Sequence, residues 1–270
     1  ISFSPDGKYM AYAISRSGSD WTEIYVMNLA DGSLLDDHIV WAKFTSVEWL
    51  GDGFFYSGYD APKDADKAYS TKNEYHKVFY HKLGTPQSSD RVEYQGKEPL
   101  MFYSAQVEDD RYVFIYPSDG QNVNIVMKDT KLPGAKYRTV VDGMDCQCSV
   151  VGVDAARGLI YVYTNKDAAM GKLVAYDLRT LKPTKTILPE KDEMLVGVAQ
   201  SGKDNLIVEY EKDAYNRAYV YDCDGKMLNE IELPAIGSVS IDASAKHDEV
   251  MYAISSFTMP GVIYAYDKAT

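Results

Sequence analysis

The stretch Val174-Ala-Tyr-Asp177 decides the fold, because strand-like segments of the same kind recur along the chain. Each segment is a short run of apolar and aromatic residues that ends in Asp, Asn or Lys. Aligned on these last residues, the segments follow one another at steps of 54, 47, 48, 45 and 45 residues. They are Ile24-Tyr-Val-Met-Asn28, Val78-Phe-Tyr-His-Lys82, Ile125-Val-Met-Lys-Asp129, Val174-Ala-Tyr-Asp177, Val220-Tyr-Asp222 and Ile263-Tyr-Ala-Tyr-Asp267. A repeat of this length indicates an array of similar structural units.

A complete unit contains four predicted strands. A β-type run precedes each of the segments, as in Leu159 to Tyr163 and Leu206 to Tyr210, and a further short strand comes before it, as in Leu195 to Ala199. After the segment, a polar turn such as Cys223-Asp-Gly225 leads to a fourth strand, Met227 to Leu233. Four short antiparallel strands in a repeat of roughly 40 to 50 residues are typical of a β-propeller blade.

The hydrophobic period within the units is two, which is typical of strands and excludes a helical solenoid. We therefore predict an all-β fold, a β-propeller of four-stranded antiparallel blades, as one domain over residues 1–270. About six units are present. The sixth stops after its third strand and no strand precedes Ile1 to complete it, so we expect the units to be part of a larger ring.

The charge of the chain limits its partners. A formal net charge of -12 argues against nucleic acid, because binding phosphates requires clustered Lys and Arg. The longest apolar stretches have the length of strands, far below the roughly 20 residues of a membrane-spanning helix, so no membrane partner is predicted. No signal peptide is recognised. The compartment stays open between the cytoplasm and the periplasm.

No catalytic residues are predicted. The chain has no Gly-x-Ser-x-Gly sequence, the turn that holds the nucleophile of α/β-hydrolases. Its histidines fall on predicted loops or strand ends without a recurring partner that would activate a nucleophile. Paired carboxylates such as Asp36-Asp37 and Asp109-Asp110 are interpreted as turn residues, since a chain this acidic has many of them. The histidines are His38, His76, His81 and His247.

No metal site and no cofactor are predicted either. Cys146 and Cys148 alternate on a predicted strand, so that both thiols point to one face, but they lack the further ligands that zinc needs. With Cys223 they are interpreted as small buried residues. The segment Asp60-Ala-Pro-Lys-Asp-Ala-Asp66 is acidic, yet it lacks the Gly and the terminal Glu of a calcium-binding loop. We interpret it as a solvated insertion, which explains why the second repeat is the longest.

Several stretches inside the repeats carry a resemblance to a known family. The propeller of prolyl oligopeptidases (prolyl endopeptidases), serine peptidases of the α/β-hydrolase class, is closely similar over the whole chain. Ser-Pro-Asp-Gly occurs in many propellers, whereas Gly-Ser-Asp-Trp and the run from His76 to Gln87 are specific. The stretches are Ser4-Pro-Asp-Gly-Lys-Tyr9, Gly18-Ser-Asp-Trp21, His76-Lys-Val-Phe-Tyr-His-Lys-Leu-Gly-Thr-Pro-Gln87, Tyr163-Thr-Asn-Lys166 and Ser256-Phe-Thr-Met-Pro-Gly-Val-Ile-Tyr264.

The resemblance implies a function for the chain. In the family, a seven-bladed propeller caps a peptidase domain that cleaves short peptides after proline, and it keeps large folded proteins out of a closed cavity. It implies that the chain is about six of the seven blades, without the peptidase domain that carries the Ser, Asp and His. The implied partners are the C-terminal α/β-hydrolase peptidase domain of the same parent chain and short proline-containing peptides. Alone, the chain is expected to be inactive.

Three substrate-lining residues are implied by local matches to the family. Asp20 matches an acid that shapes the electrostatics of substrate binding, with a turn carboxylate that bonds backbone amides as the alternative. Phe44 matches an aromatic that contacts the substrate side chain two residues before the scissile proline, with a core Phe as the alternative. Phe102 falls where the family often has Met, although the alignment can shift by one onto Met101.

The chain departs from the family pattern near Ser118 and Gln121, where the family often presents Arg and Cys to the substrate. This departure leaves the finer specificity open. Two other functions are alternatives. A free-standing propeller could bind proteins through its loops, but such proteins usually close their own ring. A propeller enzyme with a metal in its central channel needs inward-facing ligands at matched positions of several units, and the sequence does not show them.

Overall fold

The structure, a computed structural model, describes residues 1–16, 18–62 and 72–267. In these residues it consists of β-strands and one 3₁₀ helix, Gln87–Ser89, and contains no α-helix. Hence none of the described segments is a helix long and apolar enough to cross a bilayer. The chain divides into two compact units, Ile1–Met144 and Asp145–Thr270.

Unit 1 (Ile1–Met144) contains two antiparallel sheets. The larger has eight strands in the order β1-β2-β3-β4-β6-β7-β8, with β5 paired to β6, and the smaller has the order β12-β11-β10-β9. The strands are β1 Ser2–Phe3, β2 Tyr9–Ser15, β3 Trp21–Asn28, β4 Leu34–Lys43, β5 Glu48–Leu50, β6 Gly53–Gly58, β7 Lys77–Lys82, β8 Arg91–Gln95, β9 Phe102–Glu108, β10 Tyr112–Ser118, β11 Ile125–Asp129 and β12 Arg138–Val141.

The eight-stranded sheet is two four-stranded blades joined at one point. In the described residues, the strand pairing between the blade β1–β4 and the blade β5–β8 is that of Ala42 with Gly58. A Cβ atom on Gly58 would lie 2.6 Å from the carbonyl oxygen of Trp41, so only glycine allows this approach. The close contact brings the end of β4 against the end of β6, where the candidate site lies.

Unit 2 (Asp145–Thr270) contains three antiparallel sheets in its described part. Their orders are β13-β14-β15-β16, β17-β18-β19-β20 and β21-β22-β23. The strands are β13 Cys148–Asp154, β14 Leu159–Thr164, β15 Lys172–Asp177, β16 Pro183–Leu188, β17 Met194–Ser201, β18 Asn205–Lys212, β19 Tyr215–Asp222, β20 Met227–Ile231, β21 Ser238–Ser244, β22 His247–Ser256 and β23 Met259–Tyr266.

These sheets confirm the predicted fold class of four-stranded antiparallel propeller blades. Each repeated segment of the sequence lies in the third strand of its blade, as Val174-Ala-Tyr-Asp177 does in β15. In the described residues the sixth blade has three strands, as predicted. The apolar cores lie between neighbouring blades: Ile207 and Val220 share one cluster with Tyr252 and Ile254 of the next sheet. Burying an aliphatic side chain of this size contributes roughly 1.5 to 3 kcal/mol.

The cysteines are buried free thiols, as predicted. None of the three forms a disulfide, and burial raises the pKa of Cys148 to about 12, so its thiol stays protonated at neutral pH. No group of three or more His, Cys, Asp or Glu is placed to hold a metal ion anywhere in the described residues. The acidic segment predicted as a solvated insertion lies partly outside the described residues, since 63–71 are not described.

The interpretation of the paired carboxylates is wrong at one pair. Asp109 and Asp110 do form the turn between β9 and β10, both with left-handed backbone angles. Asp36 and Asp37, however, lie within β4, and Asp37 is buried. His81, one of the histidines for which no recurring partner was expected, lies within β7, and its ring is fully buried between two carboxylates.

Candidate functional site

The structure brings the three predicted lining residues to one end of the blades of unit 1. Asp20 is in the turn between β2 and β3, Phe44 directly follows β4, and Phe102 is the first residue of β9. The Phe44 and Phe102 rings meet edge to face, with centroids 5.3 Å apart. Asp20 joins them through Lys43, whose ammonium nitrogen lies 3.5 Å from the carboxylate. Residues from three separate strands therefore form one surface.

Six rings form a continuous aromatic cluster at this end. Each ring packs edge to face or at a tilt against the next, and successive centroids are 4.8 to 5.9 Å apart, a range in which aromatic pairs attract. Strand ends supply all six rings, because antiparallel neighbours place the start of one strand beside the end of the next. The aromatic cluster consists, in order of contact, of Trp41, Trp21, Tyr59, His76, Phe102 and Phe44.

Lys43 connects the aromatic cluster to Asp20. Its ammonium nitrogen lies 5.0 Å from the centroid of the Trp21 ring and 5.2 Å from that of Phe44, both within the range of cation–π attraction. The Lys43 side chain is only 11% exposed, whereas Asp20 is 71% exposed. The amide of Trp21 in this turn donates to Ser19 Oγ. The Asp20 carboxylate thus lies at the rim of the aromatic cluster, paired with a cation.

The backbone at the end of β4 is strained in a way that presents Phe44. Trp41 and Phe44 have φ angles of 61° and 51°, in the left-handed region that few non-glycine residues adopt. Such residues concentrate at functional sites. Lys43 points inward, while Phe44 is turned outward and is 54% exposed. A half-exposed Phe in strained backbone differs from the buried core Phe that was the alternative interpretation.

His76 is buried beneath the aromatic cluster and is 1% exposed. Its Nε2 donates to the carbonyl oxygen of Lys43 at 2.8 Å, and its Nδ1 accepts from the backbone N–H of Tyr103 at 3.0 Å. One acceptor and one donor fix a neutral ring with the proton on Nε2. Burial lowers the pKa of His76 below its ordinary value, outweighing the effect of the hydrogen bond to Lys43.

Phe102 and Met101 have different surroundings. The Phe102 ring packs against Phe44 and His76, and Met101 packs against the apolar cluster that contains Phe55 and Val78. On the neighbouring strand, Ser118 is the direct partner of Phe102, and its hydroxyl donates to the carbonyl oxygen of Asn122 at 2.9 Å. The residue that replaces a family Arg or Cys here is therefore engaged in its own turn.

A second buried polar cluster lies at the opposite end of β7. His81 Nε2 is 2.9 Å from Asp37 Oδ1, and His81 Nδ1 is 2.8 Å from Asp90 Oδ1. Burial lowers the pKa of His81, but the hydrogen bonds and charges of Asp90 and Asp37 outweigh it and raise the pKa above the ordinary value. Nearby, Gln87 bonds both the N–H and the carbonyl of Val40. The specific run from His76 to Gln87 thus ties two strands of unit 1 together.

The nitrogens of the histidine in the aromatic cluster are not available to a ligand. Both nitrogens of His76 are engaged by backbone groups, so the ring has no free nitrogen to move a proton. What faces outward is an aromatic surface with an ion pair at its rim. Such a surface suits an apolar or aromatic side chain of a ligand. Sequence reasoning missed Trp21, Trp41, Tyr59 and His76 as site residues, because they come together through contacts between distant parts of the chain, such as the pairing of Ala42 with Gly58 and the hydrogen bond from His76 to Lys43.

Comparisons with known proteins extend over the whole chain. Residues 1–270 match the family model described as "Prolyl oligopeptidase, N-terminal beta-propeller domain". A prolyl endopeptidase of Elizabethkingia meningoseptica is 33% identical over 277 residues, which cover 100% of this chain and 38% of the relative. The dual function macrocyclase-peptidase POPB of Galerina marginata is 30% identical over 98% of this chain and 39% of its own length. The chain thus spans about two fifths of the curated relatives that it matches.

Solved structures agree with these matches. A structure from a study of two prolyl endopeptidases and the role of inter-domain dynamics superposes with a TM-score of 0.89 at 29% identity, covering 99% of this chain and 39% of that chain. Prolyl oligopeptidase B of Galerina marginata, bound to a 25mer macrocyclization substrate, gives a TM-score of 0.90 at 26% identity. That match covers 100% of this chain and 40% of the other.

Proposed function

The chain belongs to the prolyl oligopeptidase family as its N-terminal β-propeller domain, and from this premise we propose that it is the non-catalytic, substrate-gating domain of a serine-type prolyl endopeptidase. Its role is to admit short peptides and exclude folded proteins, while its aromatic cluster contacts the substrate on the N-terminal side of the proline. The C-terminal α/β-hydrolase domain of the same parent chain supplies the catalytic groups.

One observation carries the proposal: Asp20, Phe44 and Phe102, which are far apart in sequence, meet at one end of unit 1. Phe44 is half-exposed, has a strained backbone and packs against Phe102. A ligand side chain can therefore complete the packing of both rings. Burying a side chain of Leu or Phe size contributes roughly 1.5 to 3 kcal/mol. We assign this contact to the substrate side chain two residues before the proline.

Asp20 adds a charge to the same surface. Its carboxylate is 71% exposed and only partly neutralised by Lys43 at 3.5 Å, and the chain carries a net charge of -12. The rim of the site therefore favours peptides with a positive group on the N-terminal side, through a long-range attraction that salt weakens.

The partner domain is supported by exposed apolar residues in unit 2. Phe257 lies in the turn between β22 and β23, the position that Asp20 occupies in its own blade between β2 and β3. Ile236 precedes β21, the first strand of the same blade, and Phe44 likewise precedes β5, the first strand of the second blade. Both side chains are strongly exposed, and large apolar residues of this kind mark contact surfaces. We infer that these blade ends face the peptidase domain.

The test compares two substitutions in the intact protein that contains the chain. Phe44→Ala removes the proposed contact, and Phe3→Ala is a matched control, because Phe3 is 55% exposed, Phe44 is 54% exposed, and Phe3 lies outside the aromatic cluster. The substrates are two short peptides that carry either Phe or Gly two residues before the proline.

We expect Phe44→Ala to lower kcat/KM for the Phe peptide about 10-fold or more and to leave the Gly peptide within about twofold. Phe3→Ala is expected to change neither. Equal losses on both peptides would rule out the assigned contact. For gating, the same cleavage sequence is placed in a short peptide and in a loop of a stable folded protein; cleavage of both at similar rates would rule out size exclusion.

A further inference from the structure

The elements that carry the aromatic cluster meet at one buried side chain, His76. Its Nε2 holds the carbonyl of Lys43, one residue before Phe44, and its Nδ1 holds the amide of Tyr103, one residue after Phe102. The ring also packs against both phenylalanines, with centroids 6.4 Å from Phe44 and 5.9 Å from Phe102. One imidazole therefore fixes the backbone next to both lining rings and supports the rings themselves.

We propose that His76 is a positioning residue for peptide binding: its neutral ring sets the spacing of Phe44 and Phe102, and its protonation weakens the binding of the substrate side chain. This inference rests on the proposed function, since it takes the aromatic cluster to be the peptide-contacting surface. Beyond the proposed function, His76 influences peptide affinity without touching the substrate. It also makes that affinity depend on pH through a group that is not catalytic.

The hydrogen bonds explain why only the neutral ring fits. A proton on Nδ1 would face the N–H of Tyr103, now 3.0 Å away, and two donors cannot bond each other. The ring is 1% exposed, so water has no access to replace the lost acceptor. An unpaired buried donor costs about 1 to 3 kcal/mol. The protein relieves this cost by moving β9 away from the end of β4, which separates Phe102 from Phe44.

The neighbouring charges do not offset this effect. The elements packed around His76 contribute two lysines, and each has an acidic partner: Lys43 lies 3.5 Å from Asp20, and Lys77 bonds Asp60. Both nitrogens of the ring bond backbone groups, and no carboxylate of the described residues bonds either of them. Burial raises the pKa of the neighbouring tyrosines Tyr59 and Tyr103, so both stay neutral between about pH 5 and about pH 9.

Two substitutions separate positioning from titration. In His76→Gln, the amide can donate to Lys43 and accept from Tyr103 as the imidazole does, but it has no proton to gain. In His76→Phe, the ring shape remains and both hydrogen bonds are lost. The matched control is His38→Gln in the same unit, because the His38 side chain is 42% exposed and pairs with Glu23 outside the aromatic cluster.

The measurement is KM and kcat of the intact protein for a short peptide with Phe two residues before the proline, from about pH 8 to about pH 5.5. We expect wild-type KM to rise about 5- to 10-fold in acid relative to His76→Gln, with equal values above about pH 7.5. His76→Phe is expected to raise KM by a similar factor at every pH with kcat within about twofold. His38→Gln should follow the wild type.

The outcomes distinguish this inference from the proposed function. Identical pH profiles of KM for wild type and His76→Gln would overturn the role of His76, and this holds even where His76→Phe fails to fold. If Phe44→Ala leaves the Phe peptide unaffected, the proposed function fails whatever His76 does. If Phe44→Ala weakens the Phe peptide and the His76 variants do not change KM, only the inference about His76 fails.

Discussion

Two buried histidines five residues apart, at the two ends of β7, have pKa values that are shifted in opposite directions. His76 is held by a carbonyl and an amide of the backbone, and burial lowers its pKa. His81 is held by the carboxylates of Asp37 and Asp90, which raise its pKa despite equally complete burial. Burial alone therefore does not decide the direction in which the pKa of a histidine shifts; the partners do.

The same contrast separates their roles. The cluster of His81, Asp37 and Asp90 joins β4, β7 and the segment before β8 through hydrogen bonds to carboxylates, at the end of β7 opposite the aromatic cluster. It connects the two blades of the large sheet. His76 carries no charge and fixes the backbone next to Phe44 and Phe102. One end of the strand contributes stability, and the other shapes the candidate site.

The largest expected effect comes from removing the His81 side chain from its carboxylate partners. His81→Phe leaves Asp37 and Asp90 buried without their shared partner, and removing one member of a buried ion pair costs about 3 to 5 kcal/mol. We expect the free energy of unfolding in urea to fall by that amount. His38→Phe, on the exposed face of β4, is the control and should cost less than about 1 kcal/mol. Equal losses in both variants would contradict the assignment of His81 as a buried ion-pair residue.

A smaller effect extends the comparison to a carboxyl group. Glu209 in β18 is buried with Asn216 as its hydrogen-bond partner, and burial raises its pKa to about 7. Its ionised form is thus unfavourable in the folded state, so stability falls as pH rises from about 4.5 through about 7. We expect Glu209→Gln to stabilise the protein by about 2 kcal/mol at pH 8 and by almost nothing at pH 4. A pH-independent difference in unfolding free energy would contradict this.

The smallest expected effect is on the pH dependence of the unfolding free energy, to which the two histidines contribute with opposite sign. Because the pKa of His81 is raised, its contribution to stability is complete below about pH 6.5 and is lost as pH rises through the folded-state value. Because the pKa of His76 is lowered, its contribution is complete above about pH 6.5 and is lost as pH falls through its folded-state value. Unfolding curves of His76→Gln and His81→Gln against pH should differ from wild type with opposite slopes; parallel slopes would remove the contrast.

The sequence was sufficient for the fold because the repeat is carried by local features. Apolar segments that end in a polar residue and are followed by a polar turn specify a hairpin wherever they occur, and six such segments in succession specify blades. The first strands of the first and third blades were not assigned. β1 has only two residues, which is too short for a pattern. β9 does carry one, because Tyr103, Ala105 and Val107 alternate with Ser104, Gln106 and Glu108 and so place its apolar and polar side chains on opposite faces.

The site could be predicted only in part. Asp20, Phe44 and Phe102 came from resemblance to a family, whereas Trp41 and His76 depend on contacts between distant strands that no local pattern encodes. Asp37 was misread as a turn residue because of its acidic neighbour. A signal for it exists: Leu35, Asp37 and Ile39 alternate on one face of β4, which places Asp37 inward. An acid in an apolar alternation calls for a buried partner.

The most direct test of the substrate-contacting role is photo-crosslinking in the intact protein. The probe is a short peptide with benzoylphenylalanine two residues before the proline and a reduced, uncleavable bond after it, and the attachment points are mapped by mass spectrometry. We expect cross-links to Phe44, Phe102 or the residues next to them, and competition by an unlabelled proline peptide. Competed cross-links that map only to positions outside the aromatic cluster would contradict the proposed role of this end of unit 1.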